Sequence, residues 1–313
     1  MLVTIAICTR NRPRLLRRLL RGIAELTVPA GVQTEILICD NSDNAGSTRE
    51  VAGHFPALGL ARVLFEPKAG KSYSLIRLIG EASGDWMLFL DDDVRPAKDL
   101  LIAYVDAMSR YPKATLFGGQ ILPELEAPPS SSWRYLLRVA PGVCGGVTSR
   151  QDTRFSLEGN MTIGGGNLAV RRESLLRPEL EQYLRFLAES SACCEDLVIA
   201  IDHVGRGGEG WQLLAPRAVH HVPAERSGPR WFCRWWFLRG QTCRKVPGSI
   251  PQSISLRRFI VQRRFFRLWN HVTRCEIGPL LLTLVSLGVL GAGFLSVTGG
   301  SVSTSDGGID PVS

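Results

Sequence analysis

The feature that most limits what this chain can fold into is the rhythm of residues 3–90. Short apolar runs, Val3–Cys8, Glu35–Cys39, Ala61–Phe65 and Asp85–Leu90, alternate with stretches of helical period. The helical stretches are Pro13–Leu26, opened by proline near its first turn, Thr48–His54 and Ser72–Ser83. Such alternation predicts an α/β fold in which helices flank both faces of a mostly parallel sheet. Ligands of such sheets gather at the carboxyl ends of the strands. Thr9, Arg10, Asp40 and Asp91-Asp92-Asp93 all fall at such ends.

The acidic triplet closes the uncharged run Trp86–Leu90. Three carboxylates at the mouth of an apolar strand repel one another and resist desolvation. Two readings explain them: a hard divalent cation that takes oxygen ligands, or a solvated acidic turn opening the helix after Pro96.

The second half is less regular. Pro123–Ser132 reads as a connection, Ile163–Val170 as a glycine-rich loop entering a strand, and Asp196–Val204 as a helix. Trp211–Ala215 and Ala218–Val222 read as short strands, and Trp231–Lys245 as an aromatic, basic helix.

Composition excludes wholesale disorder, since 45% of the 313 residues are hydrophobic and 21% charged. None of the eight cysteines has CxxC spacing, so neither a zinc site nor a redox dithiol is indicated, and reduced thiols in the cytosol are expected. The N-terminus enters a strand pattern directly, without the basic region of a signal peptide. The formal charge of +8 is concentrated near the start and between Arg226 and Arg274, which suits an anionic partner: nucleic acid, a nucleotide diphosphate or a membrane surface. Residues 246–276 read as a basic amphipathic juxtamembrane segment. Within it Arg257, Arg258, Arg263, Arg264, Arg267 and Arg274 interleave with Phe259, Phe265, Phe266 and Trp269. From Ile277 to Val297 the chain carries no charge, a length that spans a hydrocarbon core or forms a buried helix. Residues 298–313 read as a loose tail.

In order, Val3–Pro13, Asp40-Asn41-Ser42, Ala82–Asp85, Leu90–Asp93, Gly166-Asn167 and Glu195-Asp196 resemble the motifs of family 2 glycosyltransferases. These are inverting enzymes of the GT-A (Rossmann-like) fold that use nucleotide-diphosphate sugars. Within the family, the chain looks most similar to bacterial succinoglycan-type glucosyltransferases of exopolysaccharide synthesis. The resemblance implies a glycosyltransferase domain over 1–245, with a nucleotide-binding half (1–122) and an acceptor half (123–245). It implies a UDP-sugar donor, a lipid-linked saccharide acceptor, no nucleic acid, and a place on the cytoplasmic face of the inner membrane. Asp93 and Asp91 would then hold Mn²⁺ or Mg²⁺, with Asp92 facing the ribose; sequence does not apportion these roles. Asp196 would be the general base, with Glu195 orienting it.

Other positions keep two readings. Asp40 either accepts a base N–H or closes its strand as an Asx-turn. Thr9 and Arg10 contact base or phosphate, or Arg10 is a surface charge. Asn167 bonds a sugar hydroxyl or belongs to a tight turn, and His220 completes a metal or phosphate shell or is structural. Arg234, Arg239, Trp235 and Trp236 stand where relatives carry Gln-x-x-Arg-Trp, which is not intact here. Ser74-Leu75-Ile76 replaces the usual Ala-Arg-Asn, leaving Lys71 and Arg77 as candidates for a phosphate contact. A haloacid-dehalogenase phosphatase is disfavoured by Arg95 and by strand position. A sugar nucleotidyltransferase lacks its glycine-rich N-terminal loop here. A non-catalytic module of the same fold is disfavoured by Asp196 and the triplet.

Overall fold

The computed structural model describes residues 1–43, 46–58, 61–128, 141–157, 163–189, 194–226, 231, 233–235 and 237. Expectations for Trp236, Arg239, most of the helix Trp231–Lys245 and all of 246–313 lie outside the described residues. Among the described residues, no helix is long and apolar enough to cross a membrane.

The elements are β1 (Leu2–Thr9), α1 (Pro13–Ala24), β2 (Gln33–Asp40), α2 (Gly46–Gly53), β3 (Arg62–Phe65), α3 (Lys71–Glu81), β4 (Trp86–Asp91), β5 (Val94–Pro96), α4 (Leu100–Arg110), β6 (Ala114–Leu125), β7 (Thr153–Arg154), β8 (Leu168–Arg171), α5 (Pro178–Glu189), α6 (Glu195–Gly205) and β9 (Glu209–Val222). They build a nine-stranded sheet in the order β3-β2-β1-β4-β8-β6-β9-β5, with β7 on β9. The first four strands are parallel, as expected. The rest is mixed: β8 runs antiparallel to both β4 and β6, β6 and β9 are parallel, and β5 and β7 oppose β9.

Alternation along the strands divides the interior into two cores, because successive side chains of a strand point to opposite faces. Val3, Ile5, Ile7, Trp86, Leu88 and Leu90 pack with α1 and α4 on one face. Ala6, Leu37, Cys39, Met87 and Phe89 pack with α3, α5 and α6 on the other. Helix α1 carries four arginines and no acid, so like-charge repulsions cost it a few tenths of a kcal/mol each. Burial of Leu16, Leu19, Leu20 and Ile23, worth roughly 2 kcal/mol apiece, outweighs them.

The segment Ala82–Asp85 locks β1 to β4. Asp85 accepts the backbone N–H of Leu2 (2.9 Å), and the Gly84 N–H meets Thr4 Oγ1 (3.0 Å). A Cβ on Gly84 would lie 2.6 Å from the Thr4 backbone nitrogen, so no side chain fits there. Register then aligns the carboxyl ends, with Thr9 beside Asp40, Asp40 beside Phe65 and Cys8 beside Asp91.

In α6, His203 is buried with its Nε2 2.9 Å from Thr115 Oγ1, and burial depresses its pKa. Between the ordinary value of about 6.5 and the lower folded value, the unfolded chain takes up a proton that the folded chain refuses. This contribution is therefore intact above about pH 6.5 and lost as pH falls through the folded value. Thermal melts at pH 7.5 and 5.5 should show a larger fall in Tm for the wild type than for His203→Gln.

Candidate active site

Strand alternation separates the acidic triplet. Asp91 follows Met87 and Phe89 onto the α3/α6 face, where Lys71 Nζ lies 2.5 Å from its Oδ1. Asp92 turns the other way and accepts from Thr9 Oγ1 (2.8 Å) and Arg12 NH1 (3.1 Å). Burial pushes the Asp92 carboxyl up to about 6, against the pull of Arg12. Thr9 is itself buried, so its hydroxyl orients Asp92. Arg10 instead points outward to Asp43 at 3.5 Å, between two exposed side chains.

Asp93 has three basic neighbours. Its Oδ2 lies 3.4 Å from Arg12 NH1, 3.4 Å from His220 Nε2 and 3.9 Å from Arg226 NH1. Burial opposes ionisation of Asp93, but hydrogen bonding and charge from His220, with Arg12, outweigh it and hold the carboxyl below its ordinary value. His220 arrives through the antiparallel pairing of β5 with β9, which sets it opposite Val94. Its Nδ1 is 2.7 Å from the Cys144 carbonyl. A carbonyl only accepts, so Nδ1 carries the hydrogen and a neutral ring would turn its Nε2 lone pair toward the Asp93 carboxylate. Two electron-rich atoms so placed need a proton or a cation between them. One carboxylate and one imidazole suit Mn²⁺ or Mg²⁺ when diphosphate oxygens and water fill the remaining positions. Among the described residues, no group of three or more His, Cys, Asp or Glu is gathered as a metal cage. Among the described residues, a cation here would take Asp93 and His220 and fill its other positions from the substrate and water.

At the end of β2, Asp40 is fully buried. Its Oδ1 accepts the Ser42 N–H (2.9 Å), which is the Asx-turn; Oδ2 is buried without a partner among the described residues. Beside it, Asn41 donates to the carbonyls of Glu66 and Lys68 (2.7 Å each) and accepts from the Gly70 N–H (2.7 Å). That brace delivers Lys71 to the first turn of α3.

On the α3/α6 face a cavity of about 90 Å³ is lined by Cys8, Lys71, Asp91, Gly165, Glu195 and Asp196, among others. Asp196 is half-buried at the start of α6. Its Oδ2 accepts the Gly165 N–H (2.9 Å) and its Oδ1 the Leu197 N–H (2.8 Å), which fixes the carboxylate toward the glycine loop. Glu195 accepts from Ser72 Oγ (3.0 Å); burial pushes its carboxyl above the ordinary value, opposed by Lys71. Gly165 approaches closely, since a Cβ there would sit 3.4 Å from Asp196 Cβ and 3.6 Å from Lys71 Nζ.

Of its two readings, Asn167 takes the tight turn, with its N–H 3.3 Å from the Gly164 carbonyl. It is fully buried, donates to the carbonyls of Gln120 (2.9 Å) and Pro216 (3.3 Å), and accepts from Tyr104 OH (2.8 Å). With every polar atom engaged it ties β6, β9 and α4 to the start of β8 beneath the site. Arg12, Arg226 and Ser72 were not singled out from the sequence, because nothing local ties them to the acids they serve. Asn167→Ala strands these partners and should cost about 2 kcal/mol in urea unfolding, with nucleotide affinity of the folded protein within about twofold of wild type. An unchanged unfolding midpoint would return Asn167 to the ligand side.

Residues 4–177 match the sequence profile of glycosyl transferase family 2, a stretch from β1 through β8 that includes Asp40, the triplet and Asn167, while Asp196 and His220 lie beyond it. No curated protein matches. The fold is similar to a mannosyltransferase from Pyrobaculum calidifontis solved with GDP-Man and Mn²⁺, at TM-score 0.55 and 19% identity over 96% of this chain and 76% of that one. It is similar to S. aureus TarS 1-349 solved with UDP, at TM-score 0.52 and 13% identity over 78% of this chain and 65% of that one. It is also similar to GalNAc-T7 solved with UDP, GalNAc and Mn²⁺, at TM-score 0.55 and 16% identity over 78% and 51%. The chain spans less than two thirds of the TarS structure (65%), and at these identities the likeness speaks for the fold alone. The profile match covers more than half the chain, and on that ground the chain belongs to glycosyl transferase family 2.

Proposed function

We propose that this chain transfers a sugar, with inversion, from a nucleotide-diphosphate sugar to a hydroxyl of a saccharide acceptor. The observation that carries the reading is Asp196, a carboxylate fixed by the Gly165 N–H on a cavity shared with Asp91 and Lys71. As the acceptor oxygen bonds to the anomeric carbon, the bond from that carbon to the diphosphate oxygen breaks, and Asp196 takes the hydroxyl proton. Arg12 and Arg226 flank the place where charge builds on the departing diphosphate, and Lys71 is within reach of the same region. Asp40 Oδ2 offers the buried acceptor that the N–H of a uracil or guanine ring would satisfy. Asp93 and His220 would hold the divalent cation, which when bound neutralises charge on the leaving group.

The finer reading is UDP-glucose as donor and a lipid-linked oligosaccharide as acceptor, at the cytoplasmic face of the inner membrane. Its support is the succinoglycan-type resemblance and the basic, aromatic and apolar sequence of 246–297. Neighbours solved with UDP or GDP-Man make either nucleotide a candidate, so a panel of UDP- and GDP-sugars is the direct test of the donor. Absence of both binding and slow hydrolysis across that panel, with Mn²⁺ present, would sink the transferase reading.

Asp196→Asn is expected to lower turnover by roughly 10²- to 10⁴-fold while nucleotide binding, measured by calorimetry, stays within about twofold. Equal losses in both would remove Asp196 from the role of base. Asp93→Ala should abolish the gain in UDP or GDP affinity that Mn²⁺ confers on the wild type. A variant that keeps that gain rules Asp93 out as the cation ligand.

A further inference from the structure

The Asp93–His220 pair rests on a short segment that the function above leaves unused. A 3-10 turn, Pro141–Cys144, ends at Gly145, whose φ of 68° lies in the left-handed region. The Gly145 N–H closes the turn on the Gly142 carbonyl (3.1 Å), and Val147 is pinned to Ile121 of β6 by two backbone bonds (2.7 and 2.9 Å). From this anchored turn, the Cys144 carbonyl takes the Nδ1 hydrogen of His220 at 2.7 Å. Gly145 lies flat against the same ring: a Cβ there would stand 2.9 Å from Nδ1 and 3.0 Å from Cε1. The Cys144 thiol also approaches the Arg226 carbonyl at 3.7 Å, so the turn touches both His220 and the residue that brings the Arg226 guanidinium to Asp93.

We infer that Cys144 and Gly145 are positioning residues for the cation site: the Cys144 carbonyl fixes the tautomer of His220, and the bare face of Gly145 lets its ring lie where Nε2 meets Asp93. This inference rests on the reading of Asp93 and His220 as cation ligands. A second group that takes the far N–H of a ligating histidine sets both the direction and the basicity of the ligand lone pair, and its loss typically costs roughly 10- to 100-fold in metal affinity. At Gly145 the constraint is twofold, because any Cβ meets the ring and most other residues also meet an unfavourable φ.

The test is Mn²⁺ affinity in the presence of UDP, read from the paramagnetic resonance signal of free Mn²⁺, for Gly145→Ala, Gly145→Asn, His220→Ala and the double variant Gly145→Ala/His220→Ala. Near-ultraviolet circular dichroism and the Tm report folding, and UDP affinity without metal serves as the control. Gly145→Ala and His220→Ala should each weaken Mn²⁺ binding by roughly 10- to 100-fold, with metal-free UDP affinity within about twofold. Asparagine tolerates positive φ but adds the same Cβ, so Gly145→Asn should match Gly145→Ala. It carries the test alone if the alanine variant does not fold. The double variant should be no weaker than His220→Ala, since the effect of Gly145 passes through the ring. Wild-type Mn²⁺ affinity in both Gly145 variants, beside a loss in His220→Ala, overturns the positioning role and leaves the cation site intact. A Gly145 loss that persists in full without His220 also overturns it. Wild-type affinity in His220→Ala overturns both readings.

Discussion

The structure depends on keeping several carboxylates together at one edge of a sheet. Parallel register brings the ends of β1, β2 and β4 level, and the acids there could not share that edge unaided. Each has been given its own counterweight: Lys71 for Asp91, Arg12 and Thr9 for Asp92, His220 for Asp93, backbone N–H groups for Asp196 and Ser72 for Glu195. Removing one partner of such a buried or half-buried pair leaves an uncompensated charge, so these residues are constrained by stability as well as by chemistry.

This arrangement explains which parts of the site could be read from the sequence. The strand runs and the acids at their ends are local patterns, and β1 to β4 form where the alternation placed them. The division of labour within Asp91-Asp92-Asp93 is a matter of parity, since neighbours on a strand face opposite ways. The triplet looks like one cluster in sequence and becomes separate contacts in space. His220 gains its meaning from a pairing with β5, a strand of three residues ending in proline, which carries too little pattern to be recognised beforehand. Strand β6 was unreadable for another reason. Gly118, Gly119 and Pro123 interrupt it, and its register against β9 shifts twice, so no clean period-two signal exists. Asn167 kept two readings because a polar residue after three glycines suits an open ligand loop as well as a tight turn. Only the fold reveals Tyr104, Gln120 and Pro216 closing around it.

The mixed second half of the sheet has its own logic. Strand β8 passes between β4 and β6 in the opposite sense, so the loop before it arrives at the edge where the parallel strands end. That single reversal presents Gly165 to Asp196 and sets Gly166 against Asp91, where a Cβ would lie 3.3 Å from Oδ2. A strictly parallel continuation would have sent this loop to the far side of the sheet.

The two-core division carries a consequence for how such a protein can change. The sheet is a partition, with Asp91, Glu195 and Asp196 served from the α3/α6 compartment and Asp92 from the α1 compartment. Packing changes behind one compartment act first on the acids of that compartment, so the cavity on the α3/α6 side could diverge among descendants while the Asp92 side of the strand ends stayed as it was. The thickness of one strand then separates what such changes can reach from what they leave standing.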